Sequence, residues 1–381
     1  MLIHFRPSKI RPISMRLAAP CIGALSVCLI AAPSGVFAAP HAPQLQAADA
    51  TAAPTYGPAP PAPPIELSTP ALEAATAFRD YERKAAQISP KFTTGTGVED
   101  SLAIGSAYEP HELSRGAIAY AALVALQDPT FVHAFRVYAP YPDQARTLAA
   151  RIVADPRYAA AFPGAASAAG LIVATMASEV GKLQTTGAAV KQSAYSVQHS
   201  AWSKSRVINP LARLSKTKAL STALMTPAPE DMQDLKLAEG GAADPRAAQA
   251  MPVHGQAVDG PYAPVVQRGL AVAALASMGV AGDSDAASVE TLLNEPEDGA
   301  CLNMSKLNLY QCLAVAGPWY EDIFCLGEHA LGETAQCIVK ETGTPSQIQA
   351  AVTPVSQAGG GAGGVAPVAA AAPGESKVVG R

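Results

Sequence analysis

The chain has 381 residues, 49% of them hydrophobic and 15% charged, with a net charge of −4. That length accommodates one or two ordinary domains, and the slight negative charge gives no global pull toward nucleic acid. Aromatic residues make up only 6% while alanine is abundant, a balance that favours closely packed helices over sheets.

The first 38 residues read as a secretory signal peptide. Arg6, Lys9, Arg11 and Arg16 form a basic head with no acid, and an apolar run follows from Leu17 to Val27 and on through Leu29 and Ile30. Pro33, Ser34 and Gly35 close the run, and Val36-Phe37-Ala38 leads into Ala39 as a small-residue exit. The run is shorter than the roughly 18–20 apolar residues that cross a bilayer, which argues against a membrane anchor. Translation from Met15 would still leave a complete signal. Cys21 follows Pro20 and Cys28 follows Val27, whereas a lipidated cysteine normally follows a small residue. The expectation is therefore an exported protein, periplasmic or extracellular, with no transmembrane segment after signal cleavage.

Residues 39–66 are dominated by Ala and Pro and read as a spacer, because Pro-rich chain is extended at about 3.1 Å per residue and buries no core. Residues 344–381 run into Gly-Gly-Gly-Ala-Gly-Gly and an Ala/Pro tail, a composition without periodicity. Folded structure is expected between about Leu67 and Gly343, as a bundle over 67–225, a loop or linker over 226–262 and a smaller helical region over 263–343.

Helix starts are marked by proline just after a capping residue, at Thr69-Pro70, Asp128-Pro129, Asp155-Pro156 and Asp244-Pro245. After Pro70, Leu72, Ala75, Phe78, Ala85 and Ile88 fall near one helical face, and Arg79, Glu82, Arg83 and Lys84 are assigned to the solvent face. Residues 91–107 read as a loop. Gly116 to Leu126, Gly164 to Met176 and Gly269 to Gly282 are apolar almost all round and too short to span a membrane, so they belong to a bundle interior. From Val173 a 3-4 stripe runs through Met176, Val180, Leu183, Gly187, Val190, Ala194, Val197 and Ala201, predicting one long helix. Its partner is either the rest of its own chain or, as a coiled coil, a second copy. The fold class is all-α: a helical bundle with one long helix and a C-terminal disulfide-stapled helical hairpin, flanked by disordered Ala/Pro/Gly-rich ends.

Of the six cysteines, Cys301, Cys312, Cys325 and Cys337 follow the signal. An even number in an exported chain suggests disulfides, and four cysteines allow three pairings. Residues 302–316 and 320–340 both look helical, with Gly317-Pro318 between them. Within one helix Cys301 and Cys312 would lie about 16 Å apart, against the limit of about 7 Å between disulfide Cα atoms. A hairpin folded at Pro318 brings Cys301 to Cys337 and Cys312 to Cys325. Cys301 and Cys312 share a face, but Cys325 and Cys337 fall about 120° out of line on a regular helix, so a local break at Gly327 or Gly332 is needed. The arrangement resembles the twin-CX9C hairpin of the coiled-coil-helix-coiled-coil-helix proteins, with spacings of ten and eleven residues in place of nine. The rival reading is a metal site of Cys325 and His329, four apart, completed by other cysteines, but the tight Cys pairs of zinc sites are absent.

Between Val180 and Pro229 stand Lys182, Lys191, Lys204, Arg206, Arg213, Lys216 and Lys218 with no acid. Lys204, Arg206, Arg213, Lys216 and Lys218 form a candidate patch for an anionic envelope polymer or lipid headgroups. The bland alternative is a solvated face neutralised by Asp283, Asp285, Glu290, Glu295, Glu297 and Asp298. His111 with Glu112, and His199 with Ser200, are adjacent and point apart on a helix. Trp319, Tyr320, Glu321 and Asp322 either form a recognition tip or cap the hairpin. No phosphate loop, zinc-protease helix or nucleophile elbow occurs, and no cofactor is expected. The primary expectation is a non-catalytic exported protein that binds or builds a bacterial cell envelope, its partner an anionic polymer or another envelope protein. The alternatives are a hydrolase or lyase on an envelope polymer, using two carboxylates that converge from distant positions, and a metal-binding protein.

Overall fold

The computed structural model describes residues 57–353, apart from 242–243 and 295–298. The signal-like segment, most of the spacer and the Gly-rich tail lie outside the described residues. The described chain is helical, and its one β-bridge joins Arg206 to Pro318.

In chain order the elements are α1 (Thr69–Ala86), α2 (Gly95–Ser106), α3 (Pro110–Ala125), α4 (Pro129–Tyr138), α5 (Pro142–Ala154), a 3₁₀ turn (Pro156–Ala161), α6 (Ala165–Val197) and α7 (Ala201–Lys204). There follow α8 (Pro210–Leu220), α9 (Pro229–Ala238), α10 (Pro245–Ala250), α11 (Pro264–Ser277), α12 (Ala286–Leu293), α13 (Ala300–Val315), α14 (Trp319–Cys325), a π-helical segment (Leu326–Glu333), α15 (Thr334–Thr342) and α16 (Pro345–Val352).

The proline starts hold, with local differences. Asp128 accepts from the Phe131 N–H at 2.9 Å and Asp244 from the Arg246 N–H at 2.8 Å. Asp155 opens the 3₁₀ turn instead of an α-helix. Thr69 lies inside α1, and its N–H and hydroxyl meet Asp283 at 2.6 and 3.0 Å, so a distant acid takes the capping role.

α3 and α11 form the interior. Their apolar surfaces run all round and need cover on every side, and they supply it to each other, with α1 and α6 against α3 and α4 and α6 against α11. The regions read as a first bundle and a smaller second one therefore share one hydrophobic cluster, from Ile65 to Ala351. The stretch 226–262 carries α9 and α10, and Leu235 and Ala238 of α9 are buried. Residues 91–107 contain α2, capped by Thr94, whose side chain accepts from the Gly97 N–H. Three glycines in α2, Gly95, Gly97 and Gly105, mask its helical pattern in the sequence. The start of the expected tail is α16, closed by a Thr344–Gln347 capping box. The last described part of the spacer lies on the bundle: the Tyr141 hydroxyl donates to the Gly57 carbonyl, Arg136 Nη2 donates to Pro63 O at 3.1 Å, and Ile65 is buried.

α6 is 33 residues long, about 50 Å at 1.5 Å per residue. Met176, Val180, Leu183, Gly187, Val190 and Ala194 of the stripe are all buried, covered in part by α14, the π segment and α15 of the same chain. The seam is an intrachain one and ends at Val197, short of Ala201. Among the described residues no helix is long and apolar enough to cross a membrane.

The cysteines meet as nested pairs. Cys301 and Cys337 have Cα atoms 5.6 Å apart and Cys312 and Cys325 5.7 Å, both at disulfide distance. The π segment provides the register change: its wider i→i+5 turn advances less per residue than an α-helix, so its eight residues work against the mismatch. Gly327 and Gly332 lie within it, and they and Gly187 allow backbone to touch backbone. A Cβ on Gly187 would sit 2.8 Å from the Gly332 nitrogen, and one on Gly327 would sit 2.3 Å from the Lys191 nitrogen.

Candidate functional site

α1 and α6 pack together, and each turns a polar set into the space between them. Arg79, Glu82, Arg83 and Ala86 recur at three- and four-residue spacing on α1, as do Glu179, Lys182 and Thr186 on α6, so each set shares a helix face. Arg79, Glu82, Arg83, Glu179 and Lys182 line a cavity of about 400 Å³. Beside it the Thr186 hydroxyl donates to the Ala86 carbonyl at 2.8 Å and joins the two helices.

Glu82 is only 4% exposed, and among the described residues neither of its carboxyl oxygens has a hydrogen-bond partner. Buried polar atoms are normally bonded, so such a group calls for an explanation. Burial pushes its pKa well above the ordinary carboxylate range; the charge of Glu179 pushes the same way, and Lys182 opposes both. Burial also raises Glu179, against the hydrogen bond from Tyr120 and the charges of Arg79 and Lys182. The Tyr120 hydroxyl, presented by α3, donates to Glu179 Oε1 at 3.0 Å. Arg79 Nη1 is buried without a partner, while Arg83 is held by Asp80 at 2.9 Å and Asp231 at 2.6 Å. The cleft thus contains a carboxyl whose proton affinity burial raises, a second carboxyl oriented by a phenol, and cations beside them.

The assignment of Glu82 to a solvent face is overturned. Ala75, Phe78, Glu82 and Ala85 are successive positions of one buried stripe on α1. The sequence signal was a glutamate at a core position of a 3-4 pattern.

The basic patch divides. Lys204, Arg206, Lys216 and Lys218 are exposed and form no ion pair among the described residues, although Lys218 Nζ lies over the Tyr310 ring at 5.4 Å. Arg213 does not belong with them. It is buried, pairs with Asp322 and donates to the Leu313 carbonyl, tying α8 to α13 and α14. The acidic stretch does not neutralise the patch as far as it is described, because Asp283 caps α1 and Glu290 meets Arg115 at 2.7 Å. Glu295, Glu297 and Asp298 lie outside the described residues.

The remaining candidates do not assemble. His111 Nε2 meets Asn294 at 2.9 Å while Glu112 turns to Arg115. Cys325 is taken by Cys312, and His329 Nδ1 meets Glu333 at 2.9 Å, so the Cys/His ligand set is dispersed. Among the described residues no group of three or more His, Cys, Asp or Glu side chains is gathered as for a metal ion. Trp319 packs against the core, Glu321 accepts from the Gly317 N–H at 2.7 Å, and Asp322 is the buried partner of Arg213, so this segment anchors the hairpin.

Compared with protein-family models, curated proteins and solved structures, the chain matches none.

Proposed function

We propose that the protein is exported and acts outside the cytoplasm as a hydrolase or lyase on a polar envelope polymer, with Glu82 as acid and Glu179 as base. The observation that carries this reading is Glu82 itself, a buried carboxyl with both oxygens unbonded, lining the same cleft as a second carboxyl. In hydrolysis Glu82 donates its proton to the leaving oxygen, and Glu179, held by Tyr120, takes a proton from the attacking water. In elimination Glu179 takes the proton from carbon, and Glu82 again protonates the leaving group. Arg79 and Lys182 suit a substrate with negative charge beside the reacting bond. Export is supported by the basic head, short apolar run and small-residue exit of residues 1–38, and by two cysteine pairs at disulfide distance, an arrangement typical of oxidising compartments.

The test is release of soluble fragments from purified peptidoglycan and from acidic envelope polysaccharide by the wild type, Glu82→Gln and Glu179→Gln. Wild-type release that falls at least about a hundredfold in each variant is the expected result, the scale of a lost general acid or base. Equal activity of the variants, or no release by the wild type, removes the enzymatic reading. Recovery of a chain starting at Ala39 from the periplasm or medium tests export. The non-catalytic envelope-binding role is favoured by a different feature, the unpaired basic corner.

A further inference from the structure

The segment from α7 into α8 combines two features that soluble surfaces usually keep apart. Its exposed cations Lys204, Arg206, Lys216 and Lys218 form no ion pair among the described residues, whereas Arg83, Lys84, Arg115, Arg157, Lys191 and Lys236 all reach carboxylates. It also carries some of the most exposed aliphatic side chains of the molecule, Ile208 at 87% and Leu211 at 81%. Both lie at the tip where the chain turns into α8, and helix formation from Pro210 leaves Leu211 on the outer side, two turns in line with Lys218.

A third exposed apolar side chain, Val315, stands just before the hairpin turn that pairs with this segment. The Val207 N–H donates to the Gly317 carbonyl at 3.0 Å, and the Trp319 N–H to the Ser205 carbonyl at 3.3 Å. This short pairing sets Arg206 beside Gly317, two residues after the 85% exposed Val315. Besides Asp322, which is taken by Arg213, the acids nearby are Glu321, engaged by the Gly317 N–H, and Glu99, which shares a cavity with Lys216 on the flank. Two acids against Lys204, Arg206, Lys216 and Lys218 leave the corner positive.

We infer that this corner is a docking surface for an anionic phospholipid leaflet, with Ile208, Leu211 and Val315 entering the headgroup boundary and Lys204, Arg206, Lys216 and Lys218 meeting the lipid phosphates. The occupant follows from the pairing of features. A soluble polyanion satisfies the cations but leaves the aliphatic side chains in water, while an anionic bilayer satisfies both. Insertion is shallow and reversible, because three aliphatic side chains bury little area and no helix here is long enough to span. The inference does not rest on the Glu82–Glu179 cleft and holds whether or not that cleft is catalytic.

The experiment is flotation of the purified protein with phosphatidylcholine vesicles, with and without about one-third phosphatidylglycerol, at low and high salt. The protein is expected to float with anionic vesicles at low salt only. Lys204→Glu/Arg206→Glu/Lys216→Glu/Lys218→Glu should weaken binding by at least about tenfold. Ile208→Ser/Leu211→Ser should weaken it by about tenfold while leaving the helical circular dichroism unchanged, since both side chains are already in water. Failure of the wild type to float overturns the inference. So does a serine variant that binds as well as the wild type, and full binding of both proteins to soluble dextran sulfate would reassign the corner to a polyanion.

Discussion

Glu82 carries a sign-defined prediction at the scale of a single residue. Its folded pKa lies well above its unfolded value, so the native state holds the proton more tightly and stability falls as pH rises from the unfolded pKa through the folded one. Glu82→Gln should remove that slope and stabilise the protein by about 1 kcal/mol at neutral pH, whereas the proposed catalytic role requires the same change to lower activity. Urea unfolding at several pH values measures it, and a strongly destabilised Gln variant would make Glu82 a structural residue. Lys306 titrates in the opposite sense. Burial pushes its pKa well down, although its amine donates to the Ser106 carbonyl at 2.8 Å and stands 3.3 Å from the centre of the Tyr108 ring. Its contribution is complete above the unfolded lysine pKa and is lost as pH falls through the folded value. Lys306→Met should flatten that dependence, read from the same unfolding curves. Neither glutamate of the cleft was legible as a site in the sequence, because a charged residue at one core position of a helix does not say what faces it.

At the scale of elements, the contact between α6 and the π segment depends on what their glycines lack. A methyl group on Gly187 meets the main chain of Gly332 and Gly327, which cannot rotate away as a side chain can. Gly187→Ala should therefore cost about 1–3 kcal/mol, the range for overpacking, despite alanine's higher helix propensity. Gly181 has nothing within 4 Å, so Gly181→Ala is the control and should stabilise by about 0.5–1 kcal/mol. The helix starts, the long stripe on α6 and the nested cysteine geometry were all readable, because proline caps, 3-4 spacing and helical rise are local rules. The π segment was foreseen only as a break at Gly327 or Gly332. α2, α9 and α16 were missed: their short, glycine-bearing or polar sequences gain their helical state from packing.

For the whole molecule, the two cysteine pairs close loops of unequal length, 36 and 13 residues. When oxidised, loop entropy makes the Cys301–Cys337 link worth about 4 kcal/mol and the Cys312–Cys325 link about 3 kcal/mol. Denaturation of Cys301→Ala/Cys337→Ala and of Cys312→Ala/Cys325→Ala is expected to show that order. Because one hydrophobic cluster reaches from Ile65 to Ala351, each double variant should unfold in a single transition, where two separate bundles would give two.

The all-α class, most helix starts and the presence of one long helix are set by residue order, since each depends on spacing along the chain; the cysteine pairing followed from helical rise only with a hairpin at Pro318 and a break in the second helix, which the π segment supplies. Tertiary packing decided the rest. It joined the two expected bundles, because α3 and α11 are apolar on every side and cover one another. It withdrew Arg213 from the basic patch to meet Asp322, leaving the other cations in solvent. It also brought Glu82 and Glu179 into one cleft from helices far apart in sequence, where burial, a property of neither segment alone, raises the proton affinity of both.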